Sequence, residues 1–281
     1  MTIALVTDSN AQMPTALRER FGVRVVPLTI VVDGEQFREG VNLTTEDFYA
    51  RLAAGAAVTT AAPSPGEVLA VYDAAIDAGA TEIVSIHVGA NTSATCNAVQ
   101  IAARSCRVPV EVVDTGTASF AIACCVWAAG EALARGADLG RAADAARRTA
   151  GDVDNVFVVG ALDLARRGGR LAAEVKAGAG DADGIPVLAL NGGQMQAVGR
   201  VSDEAGAVQT MTAYVVDRAA GRAVRVGVGD ALTPDLASAF AAELRVRAEV
   251  VELVRYEIGA SVGAHTGIGT VGACFFPDRR A

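Results

Sequence analysis

Several residue types are scarce in this chain of 281 residues, and each shortage removes a class of function. There are two histidines and five cysteines. None of the cysteines (Cys96, Cys106, Cys124, Cys125, Cys274) has the CxxC spacing of a zinc site, and their positions suggest no disulfide framework. They read as reduced, buried thiols of a cytoplasmic protein. Lysine is nearly absent, with Lys176 alone, and the net charge is -8. A chain this acidic has no general attraction for nucleic acid or an anionic membrane surface. No apolar run approaches the ~20 residues that span a bilayer. The longest, ASFAIACCVWAAG at 118–130, reads as a buried helix. The opening MTIALVTDSN reads as a strand and turn rather than a signal peptide. GDADG at 180–184 has too few carboxylates for a calcium loop, so no metal is expected.

What is present is a rhythm of apolar runs and helical patterns. IALVT (3–7), VRVVPLTIVV (23–32), EIVSIHV (82–88) and VEVVD (110–114) are near-continuous apolar strands, as in sheets covered on both faces. Helices are predicted near 14–21, after the TTED cap at 44–47, from Pro65, from about 93 to 105 and over 118–150. Strands alternating with helices imply parallel crossovers. The second half changes character: NVFVVG (155–160), IPVLAL (185–190), QMQAVGRV (194–201), RAVRVGVG (222–229), EVVELVRYEI (249–258) and TVGACFF read as strands. Helices are expected at 204–220 and 234–246, and the NGG turn at 191–193 signals a hairpin. The fold class is therefore α/β. A three-layer domain with a mostly parallel sheet covers residues 1–152, and a second, α+β domain with a mixed or antiparallel sheet covers 153–281.

In open α/β sheets ligands bind beyond the carboxyl ends of the strands. TDSN (7–10) puts Asp8 there, as a nucleophile or ligand or as a plain turn cap. VTTAAPSPGE (58–67) offers threonine hydroxyls for an anion, or a turn capped by Ser64. HVGANTSATCNA (87–98) ends a strand and opens a helix, where free N–H groups and the dipole favour an anion, with Ser93 and Thr95 as hydroxyl donors. A serine hydrolase using Ser93 is the rival reading, although the G-x-S-x-G elbow is missing and a base is needed. RRGGRLA (166–172) is a positive turn whose Arg170 could pair with a carboxylate or could end a solvated helix. His265 sits among small residues on a glycine-rich turn with room for a ligand beside it. His87, inside a strand, reads as a satisfied core histidine.

These segments, in this order, resemble the DegV family of bacterial lipid-binding proteins. The resemblance runs from VTDSNAQMP through VVPLTIVVDGEQFREG, LTTEDFY, TTAAPSPGE, SIHVGANTSAT, VVDTGTASFAIA and LDLARRGGRL to GAHTGIGTVG, nearly the whole chain. It implies a fatty acid held between the two domains, with no other cofactor and no catalysis. The carboxylate would be held by residues matching Thr60 (or Thr59), Ser93, Arg170 and His265, with Thr95 beside them. Protonation of His265 at low pH would strengthen that contact. Some members present the acyl chain to a separate fatty acid kinase, and Arg200 matches a basic residue that assists. The chain departs from the family pattern at Ala61, Ala62, Gly89, Ala90 and Gly184. Small residues at 61, 62, 89, 90 and 94 are expected to leave space for the ligand. The departures keep open a member that binds another small anion, beside a hydrolase or acyl transferase using Ser93 with His265 as base.

Overall fold

A computed structural model describes residues 2–169, 171 and 184–279. Strands β1 (Ile3–Asp8), β2 (Arg24–Val26), β6 (Glu82–His87) and β7 (Val110–Asp114) form a parallel sheet in the order β2-β1-β6-β7. Side chains alternate across it. Val6 and Ile83 pack with Val68, Tyr72 and Val99 of helices α3 (Pro65–Asp77) and α4 (Thr95–Ser105). Leu5, Val84 and Ile86 pack on the other face against α5 (Phe120–Ala134) and α6 (Leu139–Asp152). This is the expected three-layer arrangement, and both faces are apolar because both are covered. The expected caps form: Ser64 Oγ accepts from Glu67 N at 3.3 Å while Glu67 returns an acceptor to Ser64 N. Thr44 caps α2 (Thr45–Ala53) by accepting from Asp47 N, without the return bond of a full capping box.

The run at 23–32 is not one strand. Pro27 supplies no N–H for a ladder, and the chain leaves the parallel sheet there. It re-enters as β3 (Thr29–Val32) of a separate antiparallel sheet, ordered β4-β3-β5, with β4 (Glu35–Arg38) and β5 (Val58–Ala61). The β3–β4 turn is Asp33-Gly34, with φ of 50° and 88°. The Asp-Gly pair was the available hairpin signal, and Val58–Ala61, read from sequence as the approach to a turn, is its third strand.

The second half contains β8 (Asp154–Val158), β9 (Ile185–Asn191), β10 (Gln194–Val201), β11 (Val224–Asp230), β12 (Val250–Glu257) and β13 (Val271–Pro277). They form one mixed sheet in the order β10-β9-β8-β13-β11-β12, in which only β11 and β12 run parallel. The NGG signal is met by a two-residue turn with Gly192 and Gly193 at φ of 55° and 80°. Between β8 and β9 lies α7 (Leu162–Arg167), and between β12 and β13 lies α10 (Ala260–Thr266). Helices α8 (Glu204–Ala219) and α9 (Pro234–Arg247) cover the outer face, where Met211, Val215, Phe240 and Leu244 meet Val226, Val228 and Phe275.

The inner face is covered by α5. A helix apolar all round must be buried all round, and the first two turns of α5, Phe120–Trp127, are: Trp127 meets Phe276 edge-on at 5.7 Å, and Phe120 fills the space a Cβ at Gly227 would need. One core cluster therefore spans both halves of the chain. Among the described residues no helix is long and apolar enough to cross a membrane.

Candidate functional site

Strand glycines thin the inner face of the second sheet, and a cavity lies over it. Its water-accessible volume is about 120 Å³. Phe157, Leu190, Met195, Gly272 and Cys274 form its floor, α10 its roof, and loops of the first half its far wall. Most of this lining is apolar. The hairpin tip closes one side, since a Cβ at Gly193 would touch Thr92 Oγ1 at 3.1 Å.

The polar groups enter from three elements. Strand alternation on β5 decides between the two threonines: Thr60 lines the cavity, while Thr59 is exposed and borders an outer groove. Thr60 Oγ1 lies 3.2 Å from His265 Nε2. Ser93 lines the cavity from the loop before α4. Its Oγ lies 2.9 Å from Thr95 Oγ1 and accepts from Thr95 N at 3.3 Å. Thr95 is fully buried and does not line the cavity; it positions Ser93. Thr60 and His265 also border the outer groove beside Leu164 and Gly168, so the cavity opens outward at this end.

His265 is not on a turn, as its flanking glycines suggested. It occupies the last turn of α10, whose N-cap is Gly259 and whose C-cap is Gly267, at φ of 79°. The glycines end the helix rather than replace it. Inside the helix, Gly263 makes room for the hydroxyl of Tyr49.

The small residues play a different part from the one expected. Ala61, Ala62, Gly89, Ala90 and Ala94 do not line the cavity. Gly89 is small because a Cβ there would lie 2.6 Å from the carbonyl carbon of Gly116. At Gly184, φ is 108° and a Cβ would overlap the carbonyl oxygen of Val201, so no side chain fits. Arg170 lies outside the described residues. Its neighbour Gly168 is informative, because a Cβ there would sit 2.5 Å from His265 Nδ1. The double glycine thus lets this loop close on the histidine. Arg200 is exposed near the other end of β10 from the cavity-lining Met195, about 17 Å along the strand. It donates to Gly184 O at 3.0 Å.

Asn10 and Ser119 also line the cavity and were not anticipated. Ser119 N donates to Asn10 Oδ1 at 2.9 Å, and Asn10 Nδ2 donates to Ser261 Oγ at 3.2 Å, which ties both halves of the chain to α10. Ser119 holds φ of 62° and ψ of −152°, a strained conformation for a side-chain-bearing residue. A serine ahead of an apolar run looks like an ordinary N-cap in the sequence, yet this one makes no capping bond.

A second polar chain resembles a catalytic triad and is closed to substrate. Tyr72 donates to Ser85 Oγ at 2.8 Å, Ser85 Oγ lies 2.6 Å from His87 Nε2, and His87 Nδ1 lies 2.9 Å from Asp8 Oδ2. All four residues are fully buried. Asp8 also accepts from Val88 N and from Asn10 N, so it is a turn cap and a core partner at once. His87 is the satisfied core histidine expected. Among the described residues no group of three or more histidine, cysteine or carboxylate side chains could hold a metal ion.

The family model described as "Uncharacterised protein, DegV family" matches residues 2–278. A DegV domain-containing protein of Streptomyces coelicolor is 38% identical over 272 residues, 96% of each chain. One from Mycobacterium tuberculosis is 32% identical over 277 residues, covering 98% of this chain and 97% of its own. Among solved structures, a DegV family protein from Thermus thermophilus, described for its fatty acid binding, superposes with a TM-score of 0.91 at 32% identity. That match covers 99% of this chain and all of the other. DegV of Bacillus subtilis, at 24% identity and a TM-score of 0.87, shares the fold.

Proposed function

The chain belongs to the DegV family, and on that premise we propose that it binds a long-chain fatty acid and acts as an acyl-chain carrier. The carboxylate sits among Thr60, Ser93 and His265, with Arg170 contributing from the adjoining loop, and the tail lies along the inner face of the second sheet. The supporting observation is the cavity itself: a mostly apolar space lined by Thr60, Ser93 and His265, of which Thr60 and His265 also border the outer groove. An anionic head is stable away from bulk water only when it is hydrogen-bonded, and each buried methylene adds about 0.8 kcal/mol. A small anion would satisfy the polar end and leave the rest of the space unfilled. The fatty acid binding of the Thermus thermophilus relative supports the same reading.

The carboxylate end is the end a separate fatty acid kinase could reach. We place the kinase contact on the exposed face that carries Arg200. The protein itself is not a catalyst in this reading: among the described residues Ser93 Oγ pairs with Thr95 and His265 Nε2 with Thr60, and no hydrogen bond joins Ser93 to His265 as a nucleophile and base would require.

Native mass spectrometry of protein purified from a bacterial host is the test. A co-purified mass matching a long-chain fatty acid, and rebinding after delipidation, are expected. A delipidated protein with no affinity for fatty acids would end the proposal. Covalent labelling of Ser93 by a fluorophosphonate would favour the hydrolase instead.

A further inference from the structure

We infer that Tyr256 is the end wall of the cavity and sets the length of acyl chain it accepts. The inference rests on the fatty-acid reading above. Tyr256 is the one described residue that lines both this cavity and a second cleft on the far side of α10's N-terminus. That cleft is about half polar, with Glu39, Asp230, Arg255 and Glu257 at its border beside Val25, Val41 and Leu43.

Placement along α10 gives the direction. Ser261, Val262, His265 and Thr266 line the cavity, so it runs beneath the helix. His265, at the open end, lies in the last turn, while Ile258 and Tyr256 precede the first. Seven helical residues span about 10 Å, which places Tyr256 at the end remote from His265.

The sequence also builds a seat for the ring. Glycine in a strand marks a close approach by another group, and GVG at 227–229 provides two. A Cβ at Gly229 would overlap the ring of Tyr256, and one at Gly227 would overlap the ring of Phe120. The two rings stack on each other, with centroids 4.4 Å apart and planes 14° apart. Tyr256 is only 7% exposed, although open space lies on both sides of it. A methyl terminus pushed past this ring would leave a mostly apolar cavity for a cleft bordered in part by carboxylates, where each methylene gains less from burial. The ring is therefore where chain length is read.

The test compares the wild type with Tyr256→Ala, Tyr256→Leu and Tyr256→Phe. Each delipidated protein is equilibrated with a mixture of saturated fatty acids from lauric to behenic, and bound masses are read by native mass spectrometry. Folding is checked by circular dichroism. Tyr256→Ala should move the preferred length upward, with affinity for the longer acids rising about tenfold for every two methylenes admitted. Tyr256→Phe should keep the wild-type profile, and Tyr256→Leu carries the test if the alanine variant does not fold. An independent readout is Cys274, buried beside the ring at 5% exposure. It should become reactive to a small maleimide when the ring is removed. An unchanged length profile in folded Tyr256→Ala and Tyr256→Leu, with fatty acid still bound, overturns this inference alone. A wild type that binds none of the acids overturns the fatty-acid reading and this one together.

Discussion

Thr60 Oγ1 and His265 Nε2 stand 3.2 Å apart although 205 residues separate them in the chain. Thr60 belongs to the small antiparallel sheet of the first half and His265 to the helix that roofs the cavity in the second. Their contact is the point at which the two halves assemble one polar site. It makes a discriminating prediction between neighbours. Thr60→Ala and Ser93→Ala should each weaken fatty-acid binding by about 1–3 kcal/mol, the cost of leaving a buried head group short of a partner. Thr59→Ala, on the exposed face of the same strand, should leave affinity unchanged. Displacement of a fluorescent fatty acid measures all three. Equal losses at Thr59 and Thr60 would mean that the strand face has been misassigned.

Gly168 should matter without itself touching ligand. A methyl group at this position meets His265 Nδ1 at 2.5 Å. Either the ring or the loop must then move, and overpacking of this kind costs about 1–3 kcal/mol. Gly168→Ala should therefore lower fatty-acid affinity, and combining it with His265→Ala should remove most of that effect, because the ring it displaces is gone. A double-mutant cycle reads the coupling directly.

How much of this was legible in the sequence depends on the range of the interaction. Val6, Ile83 and Leu5 announce a sheet covered on both faces because alternation and apolar content are local properties. The residues proposed to hold a head group are named by the family resemblance, but that Thr60 rather than Thr59 lines the cavity follows from the register of β5 on β3. Asp33-Gly34 is a local hairpin signal, whereas the pairing of β5 with β3 that completes the third sheet joins separated segments. The caps of α10 are hard to see in sequence because a glycine at each end of a short helix looks like one flexible turn. Tyr256 gave no signal of its own. Its role depends on Gly229, a stacked Phe120 and a cleft formed by distant segments, none of which composition or spacing can place together.

Asp8 and His87 make a prediction about stability rather than function. Asp8→Ala leaves the His87 ring and the N–H groups of Val88 and Asn10 without their acceptor inside a fully buried strand end. Each buried donor left without its acceptor costs about 1–3 kcal/mol. Urea unfolding should show that loss. Asp8→Asn, which keeps one oxygen acceptor, should lose less. A large fall in stability together with near-normal fatty-acid affinity in the folded fraction would identify the Tyr72–Ser85–His87–Asp8 chain as structural. Loss of a chemical activity at full stability would contradict that assignment.

Glu39 predicts how stability changes with pH. Its carboxylate accepts from Ser9 Oγ at 2.5 Å and from Ser261 N at 2.8 Å, and it lies beside Gln12, whose side chain accepts from Gly259 N. Burial outweighs these bonds and raises its pKa above the ordinary carboxylate range. The fold therefore favours the protonated acid. Stability from this group is fully present below the unfolded carboxylate pKa, about 4.3. It is lost as pH rises through that value to the raised one in the fold, after which the loss is constant. Glu39→Gln cannot titrate and removes this slope. Other groups titrate alike in both proteins, so the informative quantity is the difference in Tm between variant and wild type. That difference should shift in favour of the variant as pH is raised from about 4 to neutrality, in differential scanning fluorimetry at constant ionic strength. A shift in the opposite direction would mean that the hydrogen bonds from Ser9, Gln12 and Ser261 outweigh burial, and that Glu39 works as an anionic clamp between the first-half loops and α10.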